Sequence, residues 1–78
     1  MNSRFVFFNA VEGQIRVTID GEVCGYANDA EQLQAILEFY DVSMLDSFYT
    51  SSDVDFCEEE GFTRGAAREI IQGAMLAL

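Results

Sequence analysis

"RFVFFNAVEGQIRVTIDGEVCGYA", residues 4–27, contains three apolar, strand-like runs separated by Glu12-Gly13 and Asp20-Gly21. Asp-Gly is among the strongest two-residue hairpin turns, because both central residues must take positive φ. The stretch therefore predicts a three-stranded antiparallel meander. Gln14 to Ile19 alternates, with Ile15, Val17 and Ile19 on one face and Gln14, Arg16 and Thr18 on the other. If both turns are two-residue loops, cross-strand pairing puts Val6, Phe8, Ile15, Val17, Ile19, Cys24 and Tyr26 on one core face. The same register sends Phe5 and Phe7 to the opposite face, beside Arg16 and Thr18, where something must cover them.

Downstream, Asn28 stands three residues before Glu31, an N-cap and capping-box arrangement, with Asp29 in the first turn. A helix over about 29–40 follows, its apolar stripe formed by Ala30, Leu33, Ile36, Leu37 and Tyr40. Glu31, Gln34, Glu38 and Asp41 line another side, and Phe39 falls off the stripe. Residues 42–62 hold short apolar clusters without sustained period, which predicts one or two short helices, with Ser43 and Ser52 as caps and Gly61 as a stop. Thr63 is expected to cap a last helix whose broad apolar arc is Ala66, Ala67, Ile70, Ile71, Ala74, Met75 and Leu78. That helix is expected to lie against the sheet and the first helix, or to cover Phe5 and Phe7. The expected fold is α+β, a three-stranded antiparallel meander followed by two to four helices, in one compact domain over residues 1–78.

Seventy-eight residues allow one small core, and half of them are hydrophobic, ten being Phe or Tyr. Such a chain folds in spite of its formal net charge of −10. Its only bases are Arg4, Arg16, Arg64 and Arg68, and it has no Lys or His, so imidazole is neither ligand nor general base here. From Val17 to Thr63 the chain carries twelve carboxylates and no base. That field repels DNA, RNA and anionic lipid, and it attracts basic protein surfaces. Cys24 and Cys57 lie outside any CxxC pattern, the first residues resemble no signal peptide, and no apolar run approaches a membrane span, so a reduced cytoplasmic protein is expected.

"DVDFCEEEG", residues 53–61, concentrates five of the acids. A calcium loop would place Asp53 and Asp55 correctly, but Cys57 falls at position five, Glu58 replaces the glycine of position six, and Gly61 and Phe62 stand where a ligand is needed. The pattern therefore argues against a metal, and no cofactor motif is present. Catalysis by a carboxylate pair would need one buried acid in a cleft, which nothing in the pattern indicates, and there is no Cys/His pair, nucleophile elbow or phosphate loop. No enzyme is expected. Solubility alone would be served equally by mixed signs, whereas here the signs are segregated at a cost in self-repulsion. A ladder of carboxylates copying nucleic-acid phosphates accounts for that segregation, with Phe39, Tyr49 and Phe56 as apolar anchors if exposed.

In size, charge and sheet-plus-helix make-up the chain resembles the small acidic proteins by which phages disarm host nucleic-acid machinery, of which anti-CRISPR proteins are one type. It also resembles the acidic immunity proteins of nuclease toxins. The resemblance implies a stoichiometric inhibitor, without catalysis, of a basic nucleic-acid-binding protein in the bacterial cytoplasm, a CRISPR effector being favoured. The expected contact residues are Glu31, Glu38, Asp41, Asp53, Asp55, Glu58, Glu59, Glu60, Phe39, Tyr49 and Phe56, with no direct binding to nucleic acid or membrane. An immunity protein, or a homo-oligomeric assembly protein using the Phe5 and Phe7 face, are the alternatives, and the chain is expected as monomer or homodimer.

Overall fold

A computed structural model describes residues 3–51 and 65–78. The three expected strands are β1 (Phe5–Val11), β2 (Gln14–Ile19) and β3 (Glu22–Ala27). Val11 faces Gln14 and Ile19 faces Glu22, so both connections are two-residue loops. Glu12, Gly13, Asp20 and Gly21 all take positive φ, between 50° and 86°, as this turn demands. Asp20 adds a bond of its own, its Oδ1 accepting the Phe5 N–H at 2.9 Å.

Helix α1 (Ala30–Phe39) follows β3. Its N-cap is Asp29, one residue later than expected: Asp29 Oδ1 accepts the Gln32 N–H at 2.8 Å, and Gln32 Oε1 accepts the Asn28 N–H at 2.7 Å. Asp29 thus caps the helix through the Gln32 N–H while the Gln32 side chain reaches one residue further back, to Asn28, in place of the expected Asn28–Glu31 box.

Residues 47–50 correct the sequence reading. "SFYT" forms strand β4 (Ser47–Thr50), where short helices were expected. Its four residues are too few for a period to declare itself, but Phe, Tyr and Thr all suit a pleated surface. β4 pairs in parallel with β1, Val6 facing Phe48 and Phe7 facing Tyr49. The antiparallel strands thus become part of a four-stranded mixed sheet in the order β3-β2-β1-β4, with β1 inside it. The chain leaves the β3 edge and returns at the opposite edge by way of α1.

Helix α2 (Ala66–Met75) closes the described structure, with Gly65 at φ 81° as its N-cap instead of Thr63. The helices number two among the described residues. The Ser52 cap and the Gly61 stop, with the helix expected between them, lie outside those residues.

One face of the sheet carries the core. Val6, Phe8, Ile15 and Val17 are fully buried with Leu33 and Leu37 of α1 and Ala67 and Ala74 of α2, and Phe8 stacks on Phe48 at 6.2 Å. The predicted apolar stripes of both helices supply these contacts. Two glycines leave room for side chains packed against them. A Cβ on Gly25 would lie 3.1 Å from Ile36 Cδ1, and one on Gly73 would lie 3.3 Å from the Ala30 Cβ.

The predicted core face fails at one place. Val17 faces Gly25 but Thr18 faces Val23, so Cys24 is an extra residue in a β-bulge. One unpaired residue inverts the alternation beyond it. Tyr26 therefore stands opposite Arg16 on the far face, 46 % exposed, while Ala27 takes the core position opposite Ile15. Nor does α2 cover Phe5 and Phe7, which stay 58 % and 38 % exposed.

Candidate interaction surface

The end of α1 is built with unusual economy. Beyond the last helical residue Phe39, Tyr40 is the C-cap and Asp41 takes the left-handed conformation at φ 55°. The Asp41 N–H donates to the Glu38 carbonyl at 3.1 Å, and the Val42 N–H donates to the Leu37 carbonyl at 2.9 Å. These two bonds define a Schellman motif, and Val42 completes it by burying itself with Leu37. Glycine is the usual residue at the left-handed position; here it is an aspartate.

Arg4, one residue before β1, secures the same corner from below. Its Nη1 donates to the Tyr40 carbonyl at 2.7 Å, and its Nη2 donates to the Asp41 carbonyl at 3.0 Å and to Asp46 Oδ2 at 3.3 Å. The Arg4 backbone N–H donates to Asp46 Oδ1 at 3.0 Å, and the Ser43 N–H donates to Oδ2 at 3.0 Å. The backbone bond from Arg4 is the largest influence holding the Asp46 carboxyl below the usual aspartate range; partial burial opposes it, and the Ser43 bond and the Arg4 guanidinium reinforce it. Asp46 is thus a structural anion. Ser3, Arg4, Tyr40, Asp41, Ser43, Leu45 and Asp46 line an open concavity of about 650 Å³ at this corner.

Above the corner, Glu31, Glu38 and Asp41 are all exposed. Glu31 and Glu38 lie seven residues apart, about two turns, so they share one helix face roughly 10 Å apart along the axis. The Gln34 amide donates to Glu38 Oε1 at 3.1 Å, which orients that carboxylate. Phe39 is 80 % exposed and touches Tyr40 edge-on at 5.1 Å between centroids. Met44 and Leu45, on the turn after α1, are 64 % and 75 % exposed. Their exposure was not anticipated, and short loop residues carry no periodicity from which to read it.

Of the expected contact residues, Glu31, Glu38, Phe39 and Asp41 are all exposed on α1 and the turn that ends it, and of these Glu31 and Glu38 share one helix face. Tyr49 stands elsewhere: it faces Phe7 on β4 and lies 5.7 Å from the Phe5 ring, on the side of the sheet away from α1. Asp53, Asp55, Phe56, Glu58, Glu59 and Glu60 lie outside the described residues. Asp20 and Asp29 are occupied, like Asp46, in accepting backbone N–H groups.

Among the described residues, no three Cys, Asp or Glu side chains group as a metal site. No helix among them is long and apolar enough to cross a membrane. No protein-family model, curated protein or solved structure matches the chain.

Proposed function

We propose that the protein is a non-enzymatic inhibitor that binds a basic nucleic-acid-binding protein through an acidic, phosphate-mimicking surface, of the kind phages use against CRISPR effectors and related bacterial defences. The contact is made by Glu31, Glu38 and Asp41 on α1 and its C-terminal turn, with Phe39 as the apolar anchor. Asp53, Asp55, Glu58, Glu59 and Glu60 add five further negative charges to the chain.

One observation carries this reading: two of the three carboxylates, Glu38 and Asp41, stand at the end of the helix that disfavours an anion, while Glu31 sits in the first turn, which favours one. The C-terminal end of a helix carries the negative pole of its dipole, and an anion there is unfavourable by about 0.3–1 kcal/mol. Glu38 lies in the last turn of α1, which carries no basic residue of its own, and Asp41 follows at the left-handed position that glycine fills best; the Arg4 guanidinium on the Tyr40 and Asp41 carbonyls offsets only part of the penalty. A role in solubility could be met anywhere on the surface without that penalty. Phe39 strengthens the reading, because a ring 80 % exposed among acids has the make-up of an interface anchor with a charged rim. Complementary fields then speed encounter with a cationic groove.

The test is capture of partners from a bacterial lysate on immobilised protein, with elution by salt and competition by duplex DNA. Binding is expected to fall steeply as salt rises and to yield to the nucleic acid. The combined change Glu31→Gln, Glu38→Gln and Asp41→Asn is expected to weaken capture at least tenfold with the fold intact. Capture indifferent to salt, to DNA and to these substitutions refutes phosphate mimicry by α1.

A further inference from the structure

The face of the sheet turned away from the helices exposes Phe5, Phe7, Val23, Tyr26 and Tyr49. Its described positions are Phe5, Phe7, Asn9 and Val11 on β1, Gln14, Arg16 and Thr18 on β2, Val23 and Tyr26 on β3, and Ser47 and Tyr49 on β4. No carboxylate is among them, in a chain with fourteen Asp and Glu. Arg16 is the one charged residue there, and its Nε donates to Asn9 Oδ1 at 3.2 Å. Phe, Tyr and Arg without acids is the composition that distinguishes the centre of a protein interface from ordinary surface.

We infer that this face joins a second copy of the chain, forming a two-fold dimer of stacked sheets. Two arguments select that occupant. The first is area. Phe5, Phe7, Tyr26 and Tyr49 are 58, 38, 46 and 51 % exposed, so at roughly 200 Å² per ring they offer about 400 Å². Val23, 55 % exposed, and the polar neighbours raise this to the order of 600 Å² per copy, or about 1,200 Å² in all, which passes the roughly 1,000 Å² that a specific interface needs.

The second is charge. Two chains of −10 repel, yet sheets stack about 10 Å apart with each helical layer on the outer side. The two α1 helices would then stand roughly 30 Å apart, more than three screening lengths at physiological salt, where each length is about 8 Å. The acid-free faces meet, and the carboxylates of α1 point outward in opposite directions. The dimer is independent of the proposed function, since it uses none of the α1 residues, and it would make the acidic surface bivalent.

The test is sedimentation equilibrium of the intact chain from about 1 μM to about 1 mM, a range spanning modest affinities. The expected result is a concentration-dependent rise in mass to twice the 8.7 kDa of one chain, undiminished by added salt. Tyr49→Glu and Val23→Glu, on the two outer strands, are each expected to weaken association at least tenfold with far-UV circular dichroism unchanged. Two variants are used so that one failing to fold leaves the other to decide. Phe39→Glu, on α1, is expected to leave association unaltered. A chain still monomeric at about 1 mM, or a dimer that survives both open-face substitutions and dissociates with Phe39→Glu, overturns the inference; neither outcome touches the lysate capture by α1.

Discussion

Asp41 lends itself to a quantitative test, because two separable penalties meet at one residue. Its φ of 55° is left-handed, which a residue with a Cβ adopts at a cost of about 1–2 kcal/mol, less for Asp and Asn than for others. Its carboxylate also stands at the negative end of α1, unfavourable by up to about 0.5 kcal/mol, part of which the Arg4 guanidinium on the Tyr40 and Asp41 carbonyls offsets. Asp41→Asn removes only the charge and should raise stability by up to about 0.5 kcal/mol. Asp41→Gly removes both, relieving about 1.5 kcal/mol against about 0.5 kcal/mol of added chain entropy in the unfolded state, for a net gain near 1 kcal/mol. Asp41→Ala relieves the charge but keeps a Cβ with none of the local bonding that helps Asp, and should lose about 0.5 kcal/mol. The Arg4 bond goes to the residue-41 carbonyl and survives all three changes. In a domain of this size 1 kcal/mol moves the midpoint by about 4–8 °C, so thermal unfolding followed by circular dichroism resolves the order Gly, Asn, wild type, Ala. An alanine variant as stable as the glycine one would refute the backbone argument. An asparagine variant no more stable than wild type would refute the electrostatic one, and with it the main support for a functional anion here.

Two further outcomes follow from the packing. Asp46 has its carboxyl below the ordinary aspartate range in the folded chain, so its contribution is fully present above the unfolded value, 3.8, and is lost as pH falls through the lower folded value. Asp46→Ala should therefore cost on the order of 2 kcal/mol near neutrality and much less in strong acid, measured by urea unfolding across pH; an equal cost at both extremes would show that the anion is not what matters. Gly25→Ala presses a methyl against Ile36 Cδ1 and should cost about 1 kcal/mol, and Ile36→Val, which removes that atom, should recover much of it; additive losses in the double variant would deny the contact.

What could be read from the residues was what local chemistry decides. The two hairpins were legible because Glu12-Gly13 and Asp20-Gly21 admit few other conformations, and the helical stripes because ten residues are enough for a period. The bulge at Cys24 was not, since one extra residue leaves no compositional mark, and it moved Tyr26 from the expected core to the open face. Strand β4 escaped because a four-residue parallel edge draws its stability from β1, more than thirty residues earlier. The cap of α1 was misplaced by one position because Asn28 and Asp29 are both good caps, and the choice turned on which reached Gln32. For the candidate surface, the face shared by Glu31 and Glu38 was legible from helical spacing. That Asp46 is drawn into the Arg4 corner was not, because its partner lies 42 residues away.

The parallel pairing of β1 with β4 also sets an order of assembly. The first three strands need only tight turns, whose closure is fast and local, so they can zip as a unit. Strand β4 must wait until the chain has travelled across the sheet and α1 has settled, and it carries the larger loop-closure entropy. The last edge to seal is thus also the first able to open, and amide exchange along Ser47–Thr50 should outpace that of β2, an interior strand with antiparallel partners on both sides.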